Sequence, residues 1–254
     1  MAMQVQLHIE DLLYINYTAD PDFVRRLVPE QLDLDLITNA EGRQVALLSA
    51  VAFRVASLRS NLLPLPPISF NQINYRTYVD GGEGPGVYFF EMRVDSRLIM
   101  MATRATQAPI SYEKIDLETT PIMDQAPAVN IHESDTDPAP NTLRYAVRST
   151  SEDGLAADFV VGGNHARVGP EPLAVPREFI TERPVGYLSV ANKSLFRIEV
   201  EHTLMEALSG RVEHARARIF ESYGLLNMDE AMLPHSVMYV PEIVMGTGVP
   251  TPKR

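Results

Sequence analysis

Several side chains in this sequence have residue types suited to anion recognition and proton transfer, in settings that ordinary solvation does not explain. Arg76 sits between aromatic residues in Tyr75-Arg76-Thr77-Tyr78-Val79. A strand period of two puts Asn74, Arg76 and Tyr78 on one face and Tyr75, Thr77 and Val79 on the other. A guanidinium in so apolar a strand must be ion-paired, solvated or offered to a ligand, because burying it alone is costly. His202 shares its strand phase with Phe196, Ile198 and Val200, so it is either a satisfied core histidine or a base. Thr181-Glu182-Arg183-Pro184 brings two opposite charges just ahead of another strand. If Arg76, Glu182, Arg183 and His202 face one cavity, they form a polar cluster suited to a small anionic or carbonyl ligand. Otherwise they are solvated charges or a buried ion-pair network with a role in assembly. Lys114 follows Glu113; it is an exposed lysine or an amine desolvated enough to form a Schiff base.

Other chemistries lack their residues. His8, His132, His165, His202, His214 and His235 show no metal-ligand spacing, so no metal is expected. The glycines between 81 and 86 fit neither dinucleotide nor Walker spacing, there is no Gly-x-Ser-x-Gly elbow, and no cofactor is implied. The net charge of −11 makes nucleic acid and anionic membrane surfaces poor partners. There is no cysteine for disulfides or thiolate sites. The N-terminus lacks a signal-peptide pattern and no apolar run reaches spanning length, which makes the cytoplasm the default location.

The elements that must position these residues are mostly short strands. Residues 3–17 alternate (Met3, Val5, Leu7, Ile9), and Asp20-Pro21 reads as a helix N-cap ahead of a short helix ending near Pro29. Leu32–Thr38 and Gln44–Val55 read as a strand pair, the second apolar on both faces and so buried. A proline-rich loop or lid at 60–68 leads to a hairpin turning at Gly81, Gly82, Gly84, Pro85 and Gly86. Asp95 caps a helix over Ser96–Thr106 that Pro109 ends. Residues 121–141 read as a long loop. Strands are predicted at 141–149, 159–161, 166–168, 187–190, 194–201, 211–220 and 235–245, with a frayed tail after residue 246. This rhythm predicts one mainly β domain over residues 1–246, an antiparallel sheet that closes or packs on itself, with few flanking helices and a flexible 247–254.

Leu27-Val28-Pro29-Glu30-Gln31-Leu32, Asn74-x-Arg76-Thr77-Tyr78-Val79, Gly86-Val87-Tyr88-Phe89-Phe90, Thr181-Glu182-Arg183 and the late His202 occur in the order found in the DUF2071 family, the YqjF-like proteins. The resemblance covers roughly residues 10–245, and this family is grouped with acetoacetate decarboxylase. It implies a closed, cone-like antiparallel β-barrel with an internal cavity, and homo-oligomers. On that basis the chain is expected to bind a small carboxylate or carbonyl compound. Arg76 is the anion anchor in this reading, with Tyr78, Tyr88 and Arg183 as further ligand contacts, and His202 or Glu182 as the proton-transfer group. Acetoacetate decarboxylase uses a lysine of depressed pKa in a Pro-Lys-Lys motif. Here Pro109 precedes Ile110 and Ser111, neither of which can form a Schiff base. The alternative is a lysine-dependent decarboxylase or aldolase–dehydratase working through Lys114, whose neighbour Glu113 would raise rather than lower an amine pKa. The family usually continues Thr-Glu-Arg with an aromatic residue, where this chain has Pro184.

Overall fold

A computed structural model describes residues 5–39, 41–60, 66–104, 108–121, 143–161, 175–190, 194–203, 205 and 207–253. The expected loop at 121–141 beyond Pro121, the strand at 166–168 and most of the proline-rich 60–68 segment lie outside the described residues.

In chain order the elements are β1 (Val5–Ala19), α1 (Pro21–Arg25), β2 (Asp33–Leu34), β3 (Leu36–Thr38), β4 (Gln44–Ser60), β5 (Ile68–Asp80), β6 (Pro85–Val94), α2 (Arg97–Arg104), β7 (Ile110–Tyr112) and β8 (Ile115–Pro121). They continue with β9 (Leu143–Ser149), β10 (Leu155–Val161), α3 (Arg177–Thr181), β11 (Val185–Ser189), β12 (Leu195–His202), β13 (Leu208–Ala217), α4 (Arg218–Ser222), α5 (Met228–Ala231), β14 (Ser236–Thr247) and β15 (Thr251–Pro252). Asp20 caps α1 as its sequence predicts, accepting from Asp22 N at 2.8 Å.

Strand pairing closes a ring in the order β14, β1, β4, β5, β6, β11, β12 and back to β14. The expected closed β architecture is therefore present, although β11 joins β6 in parallel, as does β7. β13 pairs with β14 at Leu208 and Ser209 and then with β10, carrying the chain out of the ring into a second sheet of β13, β10, β9 and β8.

Besides a small cluster of Met92, Leu188 and Val190, two large cores follow from this arrangement. One fills the inside of the ring with Ile9, Tyr14, Leu47, Val51, Phe53, Tyr78 and Val87. The other lies between the ring's outer face and the second sheet, with Ile15, Tyr17, Leu48, Ala50, Tyr75, Tyr145 and Phe159. β4 is wedged between them, and that is why it is apolar on both faces.

Two bulges set which side chains enter the ring. In β1, Asp11 adopts φ 54 and the register with β4 slips between Glu10 and Leu13. The inward phase therefore switches from Leu7 and Ile9 to Leu12 and Tyr14. In β6, Tyr75 pairs with Glu91 but Arg76 pairs with Phe89, which leaves Phe90 as the extra residue. Val87, Phe89 and Met92 line the interior, while Glu91 and Arg93 bind groups outside it.

Two local expectations are corrected, and one strand is added where the sequence assigned no element. The tail beyond 246 is held in place: Thr251 and Pro252 pair with Arg197 and Phe196, and Lys253 Nζ donates to Gly81 O at 2.5 Å. Residues 218–222 are the helix α4 rather than the end of a strand, with Ile219 and Phe220 buried. Residues 115–121, whose buried Ile115 and Leu117 alternate with exposed positions, form β8.

Candidate functional site

The interior of the ring holds a cavity of about 170 Å³. Its walls are mostly aliphatic and aromatic: Leu7, Ile9, Val51, Phe53, Val87, Phe89, Ile198, Val200 and Met245. Its polar groups come from Gln72, Asn74 and Arg76 on β5, Thr181 and Arg183 around the end of α3, His202 at the end of β12, and Tyr14 on β1. An apolar chamber with a few convergent polar groups is the usual form of a small-molecule site.

Arg76 is the cation of this chamber. Its Cζ lies 5.2 Å from the ring centroid of Tyr14 and 5.6 Å from that of Tyr78, and Nη2 donates to Ile180 O at 3.3 Å. Its Nε is buried without a hydrogen-bond partner among the described residues. No described carboxylate forms an ion pair with it, which distinguishes it from Arg183. Burial opposes its charge, but the Tyr78 and Tyr14 oxygens outweigh this and hold its pKa above the ordinary value. Burial also pushes Tyr14 up to about 12, against the lowering effect of Arg76, so that the phenol is neutral at physiological pH. Tyr14 donates its hydroxyl to Met205 Sδ at 3.3 Å, a weak acceptor.

His202 shares the cavity wall with Ile198 and Val200, in the phase that strand alternation predicts. Its Nδ1 lies 2.8 Å from Thr203 O. A carbonyl only accepts, so Nδ1 carries a proton, and in the neutral imidazole Nε2 is the atom with the lone pair.

The other candidates divide. Arg183 reaches the cavity wall but is committed elsewhere: Nη1 pairs with Asp35 at 2.6 Å, Nε donates to Phe179 O at 2.6 Å, and its guanidinium lies 4.0 Å from the Phe179 centroid. Tyr78 is buried beneath Arg76 and Phe179 and hydrogen-bonds Ser49 Oγ at 2.7 Å. Glu182 caps the C-terminus of α3, half-buried, outside the cavity lining. Its charge still reaches Tyr14, adding to the upward push on that phenol. Tyr88 points to the outer core, where it donates to Ser189 Oγ at 3.1 Å and packs edge-on to Phe90.

Lys114 lies apart from all of these. Its side chain is 65% exposed and pairs with Asp116 at 3.1 Å. It borders a separate surface cleft beside Arg93 and Glu113. Among the described residues no lysine lines the cavity, and no group of three or more His, Asp or Glu is arranged to hold a metal.

The sequence reading missed Tyr14 as a cavity residue. The signal available was an aspartate in the middle of an apolar strand, followed by Leu12 and Leu13 together, which marks a phase change.

YqjF of Bacillus subtilis (strain 168), an uncharacterized protein, is 34% identical over 96 residues, which is 37% of this chain and 38% of that protein's length. Among solved structures, acetoacetate decarboxylase from Legionella pneumophila superposes with a TM-score of 0.58 at 15% identity, covering 98% of this chain and 87% of that one. The enduracididine biosynthesis enzyme MppR, complexed with the condensation product of pyruvate and imidazole 4-carboxaldehyde, gives 0.55 at 16% identity, covering 99% and 89%. An acetoacetate decarboxylase-like enzyme from Sphingomonas wittichii RW1 gives 0.54 at 14% identity, covering 100% and 93%. These superpositions establish the shared fold. The DUF2071 model, described as an uncharacterized conserved protein, matches residues 6–243, nearly the whole ring with its second sheet, and this chain belongs to that family.

Proposed function

We propose that this protein holds a small organic acid or carbonyl compound inside its barrel, with Arg76 as the anion anchor. The observation that carries this reading is the state of the Arg76 guanidinium. It lies in an apolar chamber, is held by two rings and a carbonyl, and has no carboxylate partner among the described residues. A full charge left unneutralised in so apolar a setting is stabilised further when an anion binds. That MppR, which shares this fold, is complexed with the condensation product of pyruvate and imidazole 4-carboxaldehyde supports a ligand of this class.

Any catalysis in this reading is proton transfer without a Schiff base. Nε2 of His202 takes a proton from the bound compound and returns it, while Arg76 holds the negative charge that develops. Glu182 acts at a distance, through its charge on Tyr14. The lysine-dependent alternative has no comparable support, because Lys114 faces solvent away from the chamber. A homo-oligomer belongs to the same reading on the resemblance alone, and a cytoplasmic location on the sequence pattern alone.

The test is calorimetric titration with butyrate, pyruvate and benzoate. Wild type should bind at least one of them, and Arg76→Met should lose about tenfold or more, since hydrogen bonds to a charged group contribute roughly 1.5–3 kcal/mol. Equal binding by wild type and variant overturns the anchor.

A further inference from the structure

A chain of hydrogen bonds, buried from Tyr78 to Asn16 and half-buried at Ser236, leads away from the cavity floor. Tyr78 Oη lies 2.7 Å from Ser49 Oγ, Ser49 donates to Asn16 Oδ1 at 2.5 Å, and Asn16 Nδ2 donates to Ser236 Oγ at 3.1 Å. Asn16 and Ser49 are both 0% exposed, on the two strands that meet at the ring's interior, β1 and β4. Neither belongs to the cavity wall.

The chain has a direction. A carboxamide donates only from nitrogen and accepts only at oxygen, and a serine has one proton. Ser49 gives that proton to Asn16, so Tyr78 must be the donor to Ser49. The Tyr78 oxygen then keeps only lone pairs for its other side, where Arg76 lies. The opposite orientation of Asn16 would aim the Tyr78 proton at a guanidinium, which has donors only. Tyr14 is set the same way, because its proton goes to the Met205 sulfur. Two phenol oxygens, each with its proton turned to another acceptor, therefore present lone pairs toward the cation.

Resting on the reading of Arg76 as the ligand anchor, we propose that Asn16 and Ser49 are positioning residues for that anchor. They fix Tyr78 as an acceptor and so orient the guanidinium while leaving its full charge for an anion. A carboxylate in place of this network would hold Arg76 as firmly but would neutralise it, as Asp35 does for Arg183. The network explains why two fully buried polar residues lie beneath a chamber they do not touch.

The experiment uses the whole protein, comparing wild type with Tyr78→Phe, Ser49→Ala and Ser49→Thr. One readout is the NMR signals of the Arg76 guanidinium, which show whether its rotation is hindered. The other is benzoate and butyrate titration. Tyr78→Phe and Ser49→Ala are expected to free the rotation and weaken acid binding at least fivefold, and Ser49→Thr, which keeps the hydroxyl, to restore both. Hindered rotation in all variants overturns the proposal, as does freed rotation with undiminished affinity. If wild type binds no acid, the ligand reading fails, and the Arg76 signals alone then decide the positioning role. If Ser49→Ala does not fold, Tyr78→Phe, which keeps the ring, gives both readouts.

Discussion

Gly186 on β11 lies flat against the ring of Phe89 on β6: a Cβ built at Gly186 would fall 2.7 Å from Phe89 Cε2. Gly186 pairs in register with Val87 and shares its inward phase, and both Val87 and Phe89 are part of the chamber wall. Gly186→Ala must therefore push the Phe89 ring, and the tip of a side chain yields more easily than the paired strands behind it. The expected result is a smaller chamber at a cost of about 1–3 kcal/mol in stability. Benzoate binding should fall more than acetate binding. Equal losses for both acids would mean that Phe89 moves elsewhere and that it does not set the size limit.

Lys114→Ala should leave both ligand binding and stability almost unchanged. An exposed pair such as Lys114–Asp116 contributes about 0–1 kcal/mol. Borohydride trapping with small keto acids, read by intact mass, should give the same spectrum for wild type and variant. An adduct present in wild type and lost in the variant would falsify the placement of catalysis in the chamber and restore the lysine-dependent reading.

The sequence exposed the site's phase better than its membership. Alternation placed Asn74, Arg76 and Tyr78 together, and His202 with Ile198 and Val200, because side-chain direction in a regular strand is fixed by a period of two. Depth along the strand is not fixed in this way. Tyr78 shares the face of Arg76 yet lies below the chamber, and only the crossing of Phe179 above it shows this. Pairing is equally invisible in one dimension: Arg183 and Arg76 have the same residue type, but Asp35, distant in sequence, neutralises one of them. Bulges were the other obstacle. Tyr14 and Met92 enter the interior only because Asp11 and Phe90 shift the phase of β1 and β6. The closed ring itself follows from the β12–β14 pairing, a contact between distant segments that no local pattern encodes.

Asp35→Ala should destabilise the protein through Arg183. The Arg183 side chain is 3% exposed, so losing its partner at 2.6 Å leaves a buried charge held, among the described residues, by a carbonyl and two rings. The expected cost is about 2–4 kcal/mol, below that of orphaning a wholly buried pair because Asp35 is itself 31% exposed. Urea unfolding monitored by circular dichroism measures it. Because Arg183 lines the chamber, the freed guanidinium should also make acid binding tighter than in wild type. Weaker binding would show that the pair supports the wall and does not withhold a second cation.

Arg93→Met tests the second buried cation, outside the chamber. Arg93 is bound to Glu91 Oε1 at 3.0 Å, Glu113 Oε2 at 2.9 Å and Asp153 Oδ2 at 2.9 Å. Its side chain is 6% exposed and that of Glu113 is 5% exposed, so its removal strands a buried carboxylate and should cost about 3–5 kcal/mol at neutral pH. The pH dependence follows from Asp153, whose carboxyl the Arg93 hydrogen bonds hold down to about 2, below its ordinary 3.8. A depressed carboxyl pKa adds stability that is fully present above the unfolded value and is lost as pH falls through the folded one. The Asp153 share of the difference between wild type and Arg93→Met should therefore be complete above about pH 4 and disappear toward pH 2. Urea midpoints measured stepwise from pH 7 to pH 2.5 give the curve. A difference that stays constant down to pH 2.5 would show that the pairing with Asp153 contributes nothing to stability, and that Arg93 acts through Glu113 and its packing over the Tyr75 ring, 5.5 Å from its Cζ.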